Sequence, residues 1–159
     1  ILGGDSVMEV LATELHPKRA VFLTDVLGVF TQPPSNPTAQ LLLEISAESA
    51  SNWTVVQALP PQNLQEPSDE AARDGMEGCD HPTLDMQSVR VTFDSAAHDV
   101  TGGAEEKLRA ANRIAADTGI PVYIAQAGTS HALAAMDGTV ESMLKSKQNV
   151  DWRGTWVHN

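Results

Sequence analysis

Short apolar runs, separated by stretches of helical period, constrain this chain most. Ala20-Val21-Phe22-Leu23 is an unbroken apolar run, the mark of a buried strand. Ile120-Pro121-Val122-Tyr123-Ile124-Ala125 reads as another strand, and Gly154-Thr155-Trp156-Val157 as a last short one. Before the second run, Leu108, Ala111, Ile114 and Ala115 share one helical face. Glu105, Glu106, Arg109 and Arg113 fall largely elsewhere, and Gly119 suits the position just past the helix. Strand–helix–strand alternation indicates an α/β fold with a mostly parallel sheet covered by helices. In such sheets ligands gather at the carboxyl ends of strands. Thr24-Asp25 and Gly128-Thr129-Ser130 both fall there.

The remaining segments are read the same way. Asp5 is placed to cap a helix whose apolar stripe is Val7, Met8, Val10, Leu11 and Leu15. His16-Pro17 ends it. Gln32-Pro33-Pro34-Ser35-Asn36-Pro37 is a loop, and Leu41 to Ile45 fits strand or helix equally. From about Gln57 to about Ser88 the chain is rich in proline and acid with no sustained period. A solvated, largely disordered insertion is expected there, dispensable for activity. Val89 to Phe93 alternates as a strand would. Gly128-Thr129 leads into a helix through Met136, and Asp137-Gly138 is a turn.

The net charge of −11 argues against nucleic acid or an anionic membrane surface as the main partner. No apolar run approaches the ~20 residues of a membrane span. The single cysteine, Cys79, permits no internal disulfide and fits a reducing, cytoplasmic setting. Its acidic neighbour, Asp80, makes it a poor nucleophile. The histidines show no metal-ligand spacing, and Trp53, Trp152 and Trp156 are expected to pack in the core or at its edge. The chain starts mid-pattern without a methionine and reads as a piece of something longer.

Three places have chemistry to offer. Gly3-Gly4-Asp5 precedes a helix; it is either an anion-binding helix start or a plain cap, and the residues alone favour the cap. Asp25 closes a buried strand and either bonds a ribose or forms an Asx turn, the turn being favoured. Thr101-Gly102-Gly103 lies at a helix start with Lys107 one turn later. Side chains lean back toward the helix start, so the ammonium of Lys107 and free backbone N–H groups converge on one spot. That suits a transferring phosphoryl group. The competing reading makes Asp99 a cap, the glycines a turn and Lys107 a solvated side chain, and the two readings weigh about equally.

In order along the chain, Gly-Gly-Asp, "AVFLTDVLGVF", "DVTGGAEEKL", the strand ending near Gly128 and "GTWV" resemble the amino acid kinase superfamily. Within it the isopentenyl phosphate kinase family is the nearest pattern. "DVTGG" separates it from the glutamate 5-kinase pattern, and the absence of Asn-x-x-Ala-Asp from the acetylglutamate kinase pattern. The match spans nearly the whole chain apart from the insertion. Residues 1–159 would then be the C-terminal, nucleotide-binding part of such a domain.

The resemblance implies a three-layer αβα sandwich and transfer of the ATP γ-phosphoryl to isopentenyl phosphate, with Mg²⁺ accompanying ATP. It makes Gly4 a contact of the acceptor phosphate. Asp5 would orient catalytic lysines, and Lys107 would be catalytic. Asp25, Phe30, Gly103 and Lys107 would bind the nucleotide. Phe30 stands where tyrosine is usual, Leu27 where aspartate is frequent and Ala104 where methionine is common. The family's amino-terminal half, with its first lysine, glycine-rich loop and acceptor-gripping histidine, is not in this chain. The isolated piece is therefore expected to be inactive, and a homodimer of the intact protein is compatible with the family. Two other outcomes stay open: a nucleotide-binding module without transfer, and an inert piece exposing apolar surface.

Overall fold

The computed structural model describes residues 3–60, 101–146 and 152–159. Helix α1 spans Gly4–Leu15, and Gly3 is its N-cap, extended and without a side-chain cap bond. Asp5 is therefore not the cap. It lies inside the first turn, where its carboxylate is free to reach across to Lys107. His16 ends the helix in a left-handed conformation (φ 47°), the proline after it disfavouring another helical residue.

Strand β1 is Ala20–Thr24, β2 Leu41–Ser49 and β3 Asn52–Leu59. Leu41 to Ile45, ambiguous in sequence, is strand. Helix α2 spans Thr101–Thr118, followed by β4, Val122–Gln126. Gly102 and Gly103 thus lie in the first turn of α2 and not in a turn ahead of it. At its other end Gly119 takes φ +70° and donates its N–H to Ala115 O at 2.9 Å. Helices α3, Ser130–Asp137, and α4, Thr139–Ser146, precede β5, Thr155–His158. Thr129 caps α3 by accepting from Ala132 N–H at 3.2 Å. Asp137 accepts from the hydroxyl and N–H of Thr139, which holds its carboxyl below the usual carboxylate range and ties the start of α4 to the end of α3.

The strands pair in the order β1-β4-β5-β2-β3. The pairs β1/β4 and β2/β5 are parallel, whereas β4/β5 and β2/β3 are antiparallel. The α/β class is as expected, but the sheet is mixed and not mostly parallel. Periodicity marks a strand without naming its neighbour: the β2–β3 hairpin adds one antiparallel pair, and β5 enters between β4 and β2 to add the other. Gln57, Ala58 and Leu59, expected in the acidic insertion, pair in β3. The rest of that insertion, the strand expected at Val89–Phe93, and Cys79, His81, His98 and Asp99 lie outside the described residues.

Alternation along the strands separates two cores. Val122 and Ile124 of β4 join Phe22, Leu42, Ile45 and Val157 beneath α2, which contributes Leu108, Ala111, Ile114 and Ala115. Tyr123 and Ala125 face the other side, with Leu41, Leu43, Val140 and Trp152 against α3 and α4. The three layers follow from that alternation. Each fully buried Leu or Ile side chain contributes about 1.5–3 kcal/mol of transfer free energy.

Helix α1 behaves differently from its stripe. Only Ala12 is buried; Met8 packs against the core, while Val10 is 57% and Leu15 70% exposed. Ion pairs tie α1 to α2, Glu9 to Arg113 at 2.6 Å and Asp5 to Lys107 at 3.5 Å.

Candidate active site

The parallel register Thr24↔Gln126 puts the carboxyl ends of β1 and β4 together. Ala127 N–H donates to Thr24 O at 2.8 Å, and the Gln126 side-chain amide to Asp25 O at 3.0 Å. The chain leaving β1 is thereby held open. It runs through Asp25–Phe30 and then through the proline loop, where Thr38 N–H donates to Asn36 Oδ1 at 3.0 Å. Thr31 and Gln40 close the base of that loop, Thr31 N–H reaching Gln40 O at 2.9 Å.

Between this loop and the start of α2 lies a cavity of about 310 Å³, at the lower end of the roughly 300–1,000 Å³ of small-molecule sites. Its lining includes Asp25, Gly28, Phe30, Gly103, Ala104 and Lys107. The structure therefore brings all four residues expected at the nucleotide (Asp25, Phe30, Gly103 and Lys107) to one cavity. Phe30, Pro33 and Pro34 give it an apolar wall suited to a flat ring. The prolines were missed as wall residues; their sequence signal was a loop following a strand end.

The opposite wall is polar. Gly103 is in the first turn of α2, where the helix dipole favours an anion. A Cβ added at Gly103 would meet nothing within 4 Å, so neighbouring protein does not demand a glycine there. What the glycine leaves is close access to the backbone. Lys107 is half-buried, and its ammonium stands 3.5 Å from Asp5 Oδ1. That exceeds the ~2.7–2.9 Å of a tight charge-assisted bond, so the ammonium is steered but keeps donors to spare.

Asp5 thus joins the site through Lys107. Gly4 does not line the cavity; it is exposed at the start of α1, with nothing within 4 Å of an added Cβ. The Asp25 carboxylate accepts from the Thr24 hydroxyl at 3.1 Å and is exposed at the cavity rim. Among the described residues no cluster of three or more His, Cys, Asp or Glu could hold a metal, and no helix is long and apolar enough to cross a membrane. Among the described residues the one strongly shifted group lies elsewhere. Burial pushes Tyr123 up to about 12, helped by the Glu141 carboxylate and opposed by Arg19.

A mixed sheet between helices, with a helix start facing an apolar wall at the strand ends, defines an α/β protein whose cavity suits a ligand with a flat ring and an anionic tail. The amino acid kinase family matches residues 1–90, more than half of the chain, and the chain belongs to that family. It is also 36% identical, over 99% of its length, to the isopentenyl phosphate kinase of Arabidopsis thaliana. The chain spans 39% of the length of that relative.

Proposed function

We propose that the intact protein is a small-molecule kinase that phosphorylates isopentenyl phosphate with ATP, and that this chain carries the nucleotide side of the site. The observation that carries the proposal is the convergence of Lys107 and the Gly103 backbone on the cavity that Asp25 and Phe30 also line. The likeness to a protein named isopentenyl phosphate kinase supports the choice of acceptor.

An acceptor phosphate oxygen forms the new bond to the γ-phosphorus. The bond from that phosphorus to the β–γ bridging oxygen breaks, and ADP leaves with its electrons. No strong base is required, and positioning with charge neutralisation lowers the barrier. Phe30 and the proline wall hold the base, and Asp25 reaches the ribose. The N–H groups of the α2 first turn and the Lys107 ammonium take the phosphates. Asp5 keeps that ammonium aimed along the cavity in the absence of nucleotide. Gly4, beside Asp5, opens α1 toward the acceptor phosphate. Mg²⁺ accompanying ATP would neutralise phosphate charge and would be held chiefly by substrate phosphates and water.

The test is a coupled ADP-release assay on the intact protein. Turnover with isopentenyl phosphate is expected, and little with glutamate or acetylglutamate. Brisk turnover on either amino acid, with none on isopentenyl phosphate, overturns the acceptor assignment. Tight ATP binding without transfer to any of them would reduce the protein to a nucleotide-binding module.

A further inference from the structure

The Gly154-Thr155 pair has no part in the site as described, since neither residue lines the cavity. Thr155 is nevertheless fully buried, one of two buried polar residues among those described. Its hydroxyl accepts from Val29 N–H at 2.8 Å and donates to Leu42 O at 2.7 Å. Leu42 N–H in turn donates to Val29 O at 2.8 Å. Both polar groups of the Val29 residue are thus fastened, one to β2 directly and one through the threonine. The residues on either side of Val29, Gly28 and Phe30, line the cavity. Contact is close: a Cβ added at Gly28 would lie 2.7 Å from Thr155 Oγ1 and 3.0 Å from Thr155 N. The loop is seated directly on the first residue of β5.

We infer that Thr155 is a positioning residue for the nucleotide site: its hydroxyl sets the height of the Gly28–Phe30 wall above the sheet. Valine has the same shape and neither bond, and it leaves the Val29 N–H buried without a partner. The loop can satisfy that N–H only by lifting from β5, which displaces Phe30. The wall contacts nucleotide in ground and transition states alike, so its loss weakens binding and leaves the chemical step alone.

The inference rests on the kinase reading, and the experiment separates the two. In the intact protein, Thr155→Val is expected to raise the KM for ATP about tenfold, with kcat within about twofold of wild type. Thr155→Ser, which keeps the hydroxyl, should restore KM. Val140→Ala, at a buried position of α4, serves as a control that loosens the core and leaves both Thr155 bonds in place. It should lower the melting temperature and leave KM unchanged. Hydrogen exchange at the Val29 amide reads the tie without any nucleotide: protected in wild type, exposed in Thr155→Val. Should the valine variant fold poorly, Thr155→Cys, which weakens both bonds at similar volume, should show the same KM shift in smaller measure. An unshifted KM in both variants, equal Val29 protection, or a matching KM rise in Val140→Ala overturns the inference. A wild type that takes up no ATP overturns the kinase reading instead, while amide exchange still decides the tie.

Discussion

Helices α1 and α2 lie side by side on one face of the sheet, each with a glycine pair at its start and a clear apolar stripe. Their fates differ. The α2 stripe is sealed, with Leu108, Ala111 and Ala115 fully buried, whereas α1 leaves Val7, Val10, Leu11 and Leu15 exposed. Their polar ends differ as well. The start of α2 opens onto the cavity and its second turn supplies a cation, Lys107, while the first turn of α1 supplies the carboxylate that steers it. Period therefore reports which face of a helix is apolar; it does not report what covers that face. A glycine pair likewise reports access to backbone, and the element facing it decides the use.

The comparison is most easily broken at Lys107. Lys107→Ala should cut turnover of the intact protein by about 10²–10³-fold, the usual cost of losing one positioned charge donor. Its melting temperature should barely move, because the Asp5 pair is half-exposed and weak. Steady-state kinetics beside a thermal melt would check both, and an unchanged rate would leave α2 no more functional than α1.

The next effect is on stability. Leu108→Ala should cost about 2–5 kcal/mol in denaturant unfolding, since it empties a fully buried site. The matching change on α1, Val10→Ser, should stay within about 0.5 kcal/mol at a position 57% exposed. A large loss at Val10 would mean that something covers α1 in the protein as tested.

The glycines sharpen the contrast further. Gly103→Ala should raise stability by up to about 1 kcal/mol, because alanine is the better helix residue and the added Cβ meets open space. The same methyl should raise the KM for ATP severalfold by obstructing the phosphates. Gly4→Ala should instead raise the KM for the acceptor and leave that for ATP alone. Matching KM shifts from the two variants would erase the proposed division of labour.

Much of this was legible in sequence because it is local. The runs at Ala20–Leu23 and Ile120–Ala125, the α2 stripe, Gly119 as a stop and the helix entered at Gly128-Thr129 all depend on near neighbours. The convergence of Asp25, Phe30, Gly103 and Lys107 came from the order of motifs, which no single period contains. Strand β3 was missed because Trp53–Val56 leads straight into the acid-rich stretch, and its inward positions, Trp53 and Val55, are only half-buried. Helix α4 was missed because it is short and its capping residue, Asp137, reads equally well as a turn. Asp5 read as a cap because its partner lies on another helix, and a pair bridging elements leaves no periodic trace. Thr155 was seen as strand and not as support, since its partners Val29 and Leu42 are brought to it by the sheet alone.

The central claim is that the phosphate tail of a nucleotide sits at the start of α2. A crystal structure of the intact protein with a non-hydrolysable ATP analogue tests it most directly. The account predicts phosphate oxygens within hydrogen-bond distance of Gly103 N–H and of Lys107 Nζ, with the base against Phe30. Nucleotide bound elsewhere, with Lys107 still on Asp5 and turned from the phosphates, would contradict it.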